Sequence, residues 1–219
     1  MITIAIDGPS AAGKSTVAKG VAKKLGYVYV DTGAMYRCVA VYCHKNFIDV
    51  TDEEAVAAVL NNVDIELSID GKVLLNGEDV TTQIRTKEVD KLVSPIANNV
   101  KVRSFLVDRQ RKMANDVSIV MDGRDIGTVV LPNADVKIFQ VADVHKRAER
   151  RYAEKLANGE ETSLEEVEKE LERRDLNDSS RSTGALKPAE DSIEVDTSDM
   201  TIEESINAIL AIVEEKVGK

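Results

Sequence analysis

Residues 2–25 read ITIAIDGPSAAGKSTVAKGVAKKL, and this stretch decides the fold. Its opening run Ile2–Ile6 is apolar and typical of a buried β-strand. Beyond a glycine-containing loop, Val17, Val21 and Leu25 recur at the spacing of one helix face. The stretch therefore predicts a strand, a loop and a helix in direct succession.

The loop itself, Gly8–Ser15, matches the pattern G-x-x-x-x-G-K-[ST] in full. In such a loop the backbone N–H groups and the helix N-terminus face a phosphate, the lysine reaches the β- and γ-phosphates, and the hydroxyl ligates Mg²⁺. The alternative is an ordinary turn with a solvated lysine, but the flanking strand and helix favour the phosphate site. The predicted ATP-binding residues are Gly8, Pro9, Ser10, Ala11, Ala12, Gly13, Lys14, Ser15 and Thr16.

A second apolar run, Ser118–Met121, ends in the carboxylate of Asp122. A carboxylate at the end of a strand beside a phosphate loop can hold the water shell of Mg²⁺. Because apolar strands that end in aspartate are common, a structural role for Asp122 stays open.

Short apolar runs alternate with helical patterns along the rest of the chain, which predicts an α/β fold with a parallel sheet covered on both faces. The predicted strands are Ile2–Ile6, Tyr27–Val30, Ser118–Met121, Val136–Val141 and Ser192–Val195. Capping boxes predict three helix starts, at Thr51 with Glu54, Ser163 with Glu166, and Thr201 with Glu204. The last helix carries one apolar stripe of Ile202, Ile206, Ile209, Leu210 and Val213.

Two intervals do not fit a simple strand–helix alternation. Residues 31–117 are too long for a crossover, and the turn signals Asp70-Gly71 and Asn76-Gly77 within them predict a small antiparallel sheet in an inserted lobe. Residues 153–189 are polar with little apolar material, which favours a mobile lid.

The net charge of −10 argues against a nucleic-acid or anionic-membrane binder, because those partners need a basic surface. No basic leader or membrane-length apolar run is seen. Cys38 and Cys43 lack zinc-site spacing and are expected to be reduced, buried thiols. We therefore expect a cytoplasmic protein that acts as a monomer.

Basic side chains recur on the helix predicted after Val141. Lys146 with Arg150, and Arg147 with Arg151, stand four residues apart, so like charges lie on neighbouring rows. They repel one another unless an anion lies between them, although a solvated face balanced by nearby glutamates is the alternative. His44 and His145 are expected to be surface or partly packed residues without a catalytic role.

Four motifs together resemble the bacterial cytidylate kinase family. They are the phosphate loop, DTGAMYR at residues 31–37, DGRDIGT at residues 122–128, and RRD at residues 173–175 with Asp178 and Arg181. Their order and spacing match over nearly the whole chain. The resemblance implies a P-loop NTPase three-layer fold with a five-stranded parallel sheet, an inserted NMP-binding lobe and a short lid. It also implies transfer of the γ-phosphate of ATP to CMP or dCMP, with Mg²⁺.

The same resemblance implies one kinase domain over residues 1–219, with core segments 1–35, 106–152 and 190–219, the NMP-binding insertion at about 36–105, and the lid at about 153–189. By resemblance, the catalytic residues are Lys14, Arg124, Arg147 and Arg151. The resemblance also implies that Mg²⁺ is held by Ser15 directly and by Asp122 through water. The substrate-binding residues that it implies are Thr32, Tyr36, Arg37, Ser94, Arg103, Arg124, Asp125, Arg174, Asp178 and Arg181. Thr32 stands where the family frequently has serine, and Tyr36 has a packing role as an equal alternative.

Two other readings stay open. An adenylate or uridylate kinase shares the phosphate loop, although the DGRD motif favours cytidylate. A nucleotide sensor that binds ATP to control a partner would need no second phosphate pocket, so the arginine set counts against it.

Overall fold

A computed structural model describes residues 1–68 and 71–218. The chain divides into two compact units, Met1–Tyr29 with Val117–Lys219, and Val30–Asp116. The second unit extends beyond the predicted insertion of residues 36–105 at both ends. Asp70 of the predicted turn Asp70-Gly71 lies outside the described residues.

A five-stranded parallel sheet forms the centre of the first unit, with strand order β2-β6-β1-β7-β8. The strands are β1 Thr3–Asp7, β2 Val28–Asp31, β6 Ile119–Gly123, β7 Val136–Val141 and β8 Ile193–Asp196. All five predicted strands are confirmed, within one residue at the start of each and two at its end. Because Ile6 pairs with Asp122, β1 and β6 end side by side just before their loops.

Helices α1 Lys14–Leu25 and α8 Ile202–Val217 pack against this sheet. Helices α6 Val144–Ala157 and α7 Leu164–Ser179 pack against each other. Ile206, Ile209 and Val213 of α8 join the core formed by α1 and the strands. Ile202, the first residue of the predicted apolar stripe, is 59% exposed at the first turn of the helix. A five-residue π-helix, Ile126–Val130, follows β6.

The second unit is mainly helical: α2 Thr32–Lys45, α3 Glu53–Val59, α4 Lys87–Asn98 and α5 Val100–Met113. Its small antiparallel sheet has the order β3-β4-β5, with strands Ile65–Leu67, Val73–Leu75 and Glu78–Asp79. Asn76 and Gly77 both have positive φ, 51° and 80°, as the predicted hairpin turn requires. The predicted antiparallel sheet is thus confirmed.

Two of the three predicted capping boxes form. Ser163 with Glu166 and Thr201 with Glu204 each make both reciprocal hydrogen bonds. The prediction for Thr51 is wrong, because Asp52 caps α3 instead, accepting from the backbone N–H groups of Glu54 and Ala55. The Thr51 hydroxyl donates to Asp49 instead, and the neighbouring carboxylate of Asp52 occupies the cap.

Cys38 and Cys43 are free and buried, and burial raises the pKa of their thiols to about 12 and about 11 respectively. This confirms the prediction of buried, reduced cysteines. In the part of the chain that the structure describes, no helix combines the length and the apolar character needed to cross a membrane.

Candidate functional site

The loop between β1 and α1 depends on two glycines. Gly8 has φ 151°, and a Cβ atom at this position would collide with the backbone carbonyl of Gln140. Gly13 caps α1 with φ 86°, in the left-handed region that favours glycine. The loop can therefore turn tightly against β7 and still start a helix at Lys14.

Three side chains hold the carbonyl groups of the loop. Lys14 Nζ donates to the Pro9 carbonyl at 2.6 Å, and Gln140 Nε2 donates to the Ala12 carbonyl at 2.6 Å. Arg147 Nη1 donates to the Ser10 carbonyl at 3.0 Å. Because these negative ends of the peptide dipoles are bound, the loop can present its N–H groups to an anion.

Lys14 is a buried cation with an altered pKa. Burial is the largest cause that lowers the pKa of its ammonium group, and the positive charge of Arg124 adds to the effect, giving a pKa of about 7. The carboxylates of Asp122 and Asp7 oppose the shift. A phosphate bound here would supply the negative charge that a buried ammonium lacks.

Asp122 lies at the end of β6, where the sequence predicted a carboxylate beside the loop. Its Oδ2 accepts from Ser15 Oγ at 2.9 Å, and its Oδ1 accepts from the Tyr29 hydroxyl at 2.7 Å. A hydroxyl and a carboxylate are thereby brought together, which are the oxygen ligands that Mg²⁺ prefers.

Asp7, the residue just before Gly8, was not singled out by the sequence analysis. Its two carboxylate oxygens accept from the backbone N–H groups of Ile126 at 2.8 Å and Gly127 at 2.7 Å. Burial raises the pKa of this carboxyl to about 6, although both backbone hydrogen bonds lower it. The side chain fastens the π-helix after the DGRD motif to the end of β1.

Asp178 gathers two of the predicted arginines. Arg124 Nε donates to its Oδ2 at 2.8 Å, and Arg181 Nη2 donates to its Oδ1 at 2.5 Å. Burial alone raises the pKa of Asp178, but the charges of Arg124 and Arg181 outweigh burial and hold it below the ordinary value. Asp125, next to Arg124, is also buried.

The arginines of α6 reach different acceptors. Arg147 reaches Ser10 and Asp175, whereas Arg150 donates to the carbonyls of Thr197 and Ser198. Arg151 pairs with Glu154 of its own helix. The repulsion expected between neighbouring rows is relieved because each side chain has a different acceptor.

The second unit holds the other predicted substrate residues. Arg37 donates to the Ile84 carbonyl at 2.8 Å and to Asp90 at 2.5 Å, and it is buried. The guanidinium of Arg103 lies 5.7 Å from the centre of the Tyr36 ring, so the structure brings those two together.

Thr32 and Ser94 complete the predicted residues of this unit. Thr32 is buried at the first turn of α2, whose N-cap is Asp31. Ser94 is half-buried on α4.

Sequence reasoning missed three side chains that shape the loop: Asp7, Gln140 and Asp175. Asp175 was quoted only as part of the RRD motif. Asp7 carried a weak signal, since a charged residue that ends a buried strand must find partners. Gln140 and Asp175 carried none, because their partners in the phosphate loop are more than 120 residues away along the chain.

The family model and the relatives that are similar in sequence agree with one another. The family model described as "Cytidylate kinase" matches residues 4–215. A cytidylate kinase from Geobacillus sp. (strain WCH70) is 52% identical over 220 residues, which cover 99% of this chain and 98% of the relative. A cytidylate kinase from Pediococcus pentosaceus is 53% identical over 214 residues, covering 96% of this chain and 95% of the relative.

Similar solved structures bear on the fold alone. A shikimate kinase from Acinetobacter baumannii, solved in complex with shikimate, aligns with a TM-score of 0.51 at 15% identity, covering 100% of this chain and 96% of that chain. With the observed sheets, this likeness confirms the predicted α/β P-loop kinase fold.

Proposed function

This chain belongs to the cytidylate kinase family, and we propose that it transfers the γ-phosphate of ATP to CMP or dCMP, giving ADP with CDP or dCDP. It is an ATP-dependent nucleoside monophosphate kinase, with ATP as the phosphoryl donor. The acceptor, the metal and the role of each residue are proposed from the resemblance to this family together with the chemistry of the site.

One observation carries the proposal: cations converge beside the phosphate loop. Arg124 and Arg174 both lie near enough to Lys14 to lower the pKa of its buried ammonium group. The carboxylates of Asp122, Asp7 and Asp178 offset part of this positive charge. Phosphate groups in transfer would place further negative charge among the cations. A protein that only binds ATP would not need cations from three separate segments.

Mg²⁺ fits the oxygen pair formed by Ser15 and Asp122. Their hydrogen bond of 2.9 Å places a hydroxyl and a carboxylate within reach of one ion. We propose that Ser15 ligates Mg²⁺ directly and that Asp122 holds one of its water ligands. When bound, the ion would neutralise charge on the transferring phosphate.

The reaction needs no general base. A phosphate monoester has a second pKa near 6, so the acceptor is already largely dianionic at neutral pH. Lys14, Arg124, Arg147 and Arg151 are proposed to stabilise charge on an in-line transferring phosphoryl group. We propose that residues 153–189 close as a lid over the reactants, because excluded water cannot hydrolyse ATP.

By resemblance to the family, the acceptor is proposed to be held by the predicted substrate-binding residues. Arg37 and Arg124 would bind the CMP phosphate, while Arg174 and Asp178 would contact the ribose. Thr32, Tyr36, Ser94, Arg103, Asp125 and Arg181 are the residues that we propose line the cytosine pocket. Residues 36–105 would then act as the NMP-binding insertion.

We further propose that the enzyme acts as a monomer in the cytoplasm. Free buried thiols suit a reducing compartment. Sedimentation at micromolar concentration tests the monomer, and a sedimenting dimer would contradict it.

ADP release measured with CMP, dCMP, UMP and AMP tests the function. We expect CMP and dCMP to be phosphorylated far faster than AMP. Lys14→Ala serves as the control for the donor site, and it should lose most activity while its thermal transition stays near that of the wild type. A protein that forms ADP with none of the four acceptors, or prefers AMP, would contradict the proposal.

A further inference from the structure

Asp175, in the last two turns of α7, contacts both backbone polar groups of Ser10 in the phosphate loop. It binds the Ser10 N–H directly and the Ser10 carbonyl through the side chain of Arg147. Its Oδ1 accepts from the backbone N–H of Ser10 at 3.1 Å. Its Oδ2 accepts from Arg147 Nη1 at 2.6 Å, and the same Nη1 donates to the Ser10 carbonyl at 3.0 Å. Asp175 and Arg147 together therefore fix the orientation of Ser10 in the loop.

The orientation of Ser10 matters because the next residue is strained. Ala11 has φ 58°, a left-handed conformation that costs energy in any residue with a Cβ atom. Ala11 also packs on the small apolar cluster of Ala148, Val167 and Leu171 between α6 and α7. Contacts from these two helices thus hold the phosphate loop in a shape that its own sequence disfavours.

The same face of α7 also reaches the proposed acceptor side. Asp178, one turn after Asp175, holds Arg124 and Arg181. Asp175 and Arg147 are both largely buried, with side-chain exposures of 19% and 7%. A buried, charge-assisted hydrogen bond of this kind holds geometry more firmly than a solvent-exposed pair.

We propose that Asp175 is a positioning residue for the donor site: it holds Ser10 and Arg147 so that the phosphate loop is shaped for ATP. This inference rests on the proposed function for its kinetic readout only. Asp175 touches no reacting atom, and it acts through the loop backbone and the Arg147 guanidinium.

The experiment compares Asp175→Ala and Asp175→Asn with a matched control, Glu170→Ala. Glu170 pairs with Lys155 at 2.8 Å, so it forms another ion pair between α7 and α6 that does not touch the phosphate loop. Binding of ADP and of CMP is measured separately by calorimetry, and KM for ATP, KM for CMP and kcat are measured in a coupled assay.

Asp175→Ala should weaken ADP binding and raise the KM for ATP by about tenfold or more, since charge-assisted contacts to the loop are lost. CMP binding should change by less than about threefold. Asp175→Asn keeps an acceptor for Ser10 and should fall between wild type and Asp175→Ala. Glu170→Ala should bind ADP as the wild type does.

Unchanged ADP affinity in Asp175→Ala would overturn the proposal, as would an equal loss in Glu170→Ala, which would mean that Asp175 only docks α7 on α6. If Asp175→Ala does not fold, Asp175→Asn decides, and wild-type ADP binding in that variant overturns the proposal. ADP binding stays informative even if the wild-type protein fails to phosphorylate CMP, so failure of the two proposals can be told apart.

Discussion

Lys14 is the residue whose charge should change when nucleotide binds. Its buried ammonium group has a pKa of about 7, so about half of the free protein carries the charge at pH 7 and roughly a tenth at pH 8. A bound polyphosphate favours the charged form. ADP binding should therefore take up about half a proton at pH 7 and nearly a whole proton at pH 8.

Calorimetry in buffers of different ionisation enthalpy measures that uptake. Lys14→Met is the control, because it keeps an apolar stem but cannot bind the proton, so protons exchanged by the nucleotide itself cancel in the difference. Equal uptake by the two proteins at pH 8 would show that Lys14 is already charged in the free enzyme.

Asp125 is the residue proposed to distinguish cytosine from uracil. Cytosine offers an amino donor at C4 where uracil offers a carbonyl acceptor, so an ionised carboxylate accepts from the first and repels the second. Asp125→Ala should reduce kcat/KM for CMP by an amount equivalent to about 1–3 kcal/mol or more of transition-state stabilisation. The kcat/KM for UMP should change little. The measurement is kcat/KM for both substrates in both proteins.

A structural role for Asp125 predicts a different outcome. Asp125 directly precedes the π-helix, and its backbone carbonyl accepts from Val129 and Val130. If its side chain only braces that turn, the variant will lose stability and treat CMP and UMP alike. An unchanged CMP:UMP ratio would therefore reject Asp125 as the residue that recognises the base.

At the scale of single residues, the sequence predicted the geometry of neighbouring residues and missed contacts between residues far apart in the chain. The motif around Gly13 and Lys14 predicts the local backbone geometry, because the glycine and the start of the helix are adjacent in the chain. The side chains of Asp7, Gln140 and Asp175 form hydrogen bonds with backbone groups that come close only in the folded chain. No spacing rule along one chain encodes those contacts.

At the scale of elements, the end of α6, all of α7 and their flanking loops make up residues 153–189, the segment proposed to close as a lid. The structure gives this segment more apolar contact than its composition predicted, in the cluster of Ala148, Val167 and Leu171. That cluster is still small beside the core around β1. Few buried contacts mean that local opening costs little free energy.

We therefore expect the amides of residues 153–189 to exchange faster than those of β1 and β6 in the free protein. Protection should increase strongly only when both a donor and an acceptor nucleotide are present. Hydrogen exchange followed by mass spectrometry, with ADP alone, CMP alone and both, measures this. Full protection without ligand would contradict a mobile lid.

Element boundaries show where periodicity is informative. All five strands of the parallel sheet were predictable because buried strands are short, apolar and bounded by loops. The start of α3 was not, because Thr51 and Asp52 are both good capping residues and the choice between them depends on hydrogen bonds within the loop. The sequence also gave no sign that Ile202 would be exposed.

At the scale of the whole molecule, a buried carboxyl should leave its mark on stability. The folded-state pKa of Asp7 is raised from 3.8 to about 6, so between these pH values the folded protein binds more protons than the unfolded chain. Stability contributed by Asp7 is therefore present below about pH 4 and is lost as the pH rises through 6. The full loss is at most about 3 kcal/mol.

Asp7→Asn removes this dependence, although it also loses one acceptor for the N–H groups of Ile126 and Gly127 at every pH. The free energy of unfolding of wild type minus that of Asp7→Asn should thus decrease as the pH rises from about 4 to 7, because only the wild type comes to bury a charge. Urea unfolding across that range measures the difference, in which titrations common to both proteins cancel. Asp108→Asn, at an exposed carboxylate on α5, is the matched control for the same substitution made where no buried carboxyl is removed. A difference that stays constant with pH would mean that Asp7 ionises in the folded protein as it does in the unfolded chain.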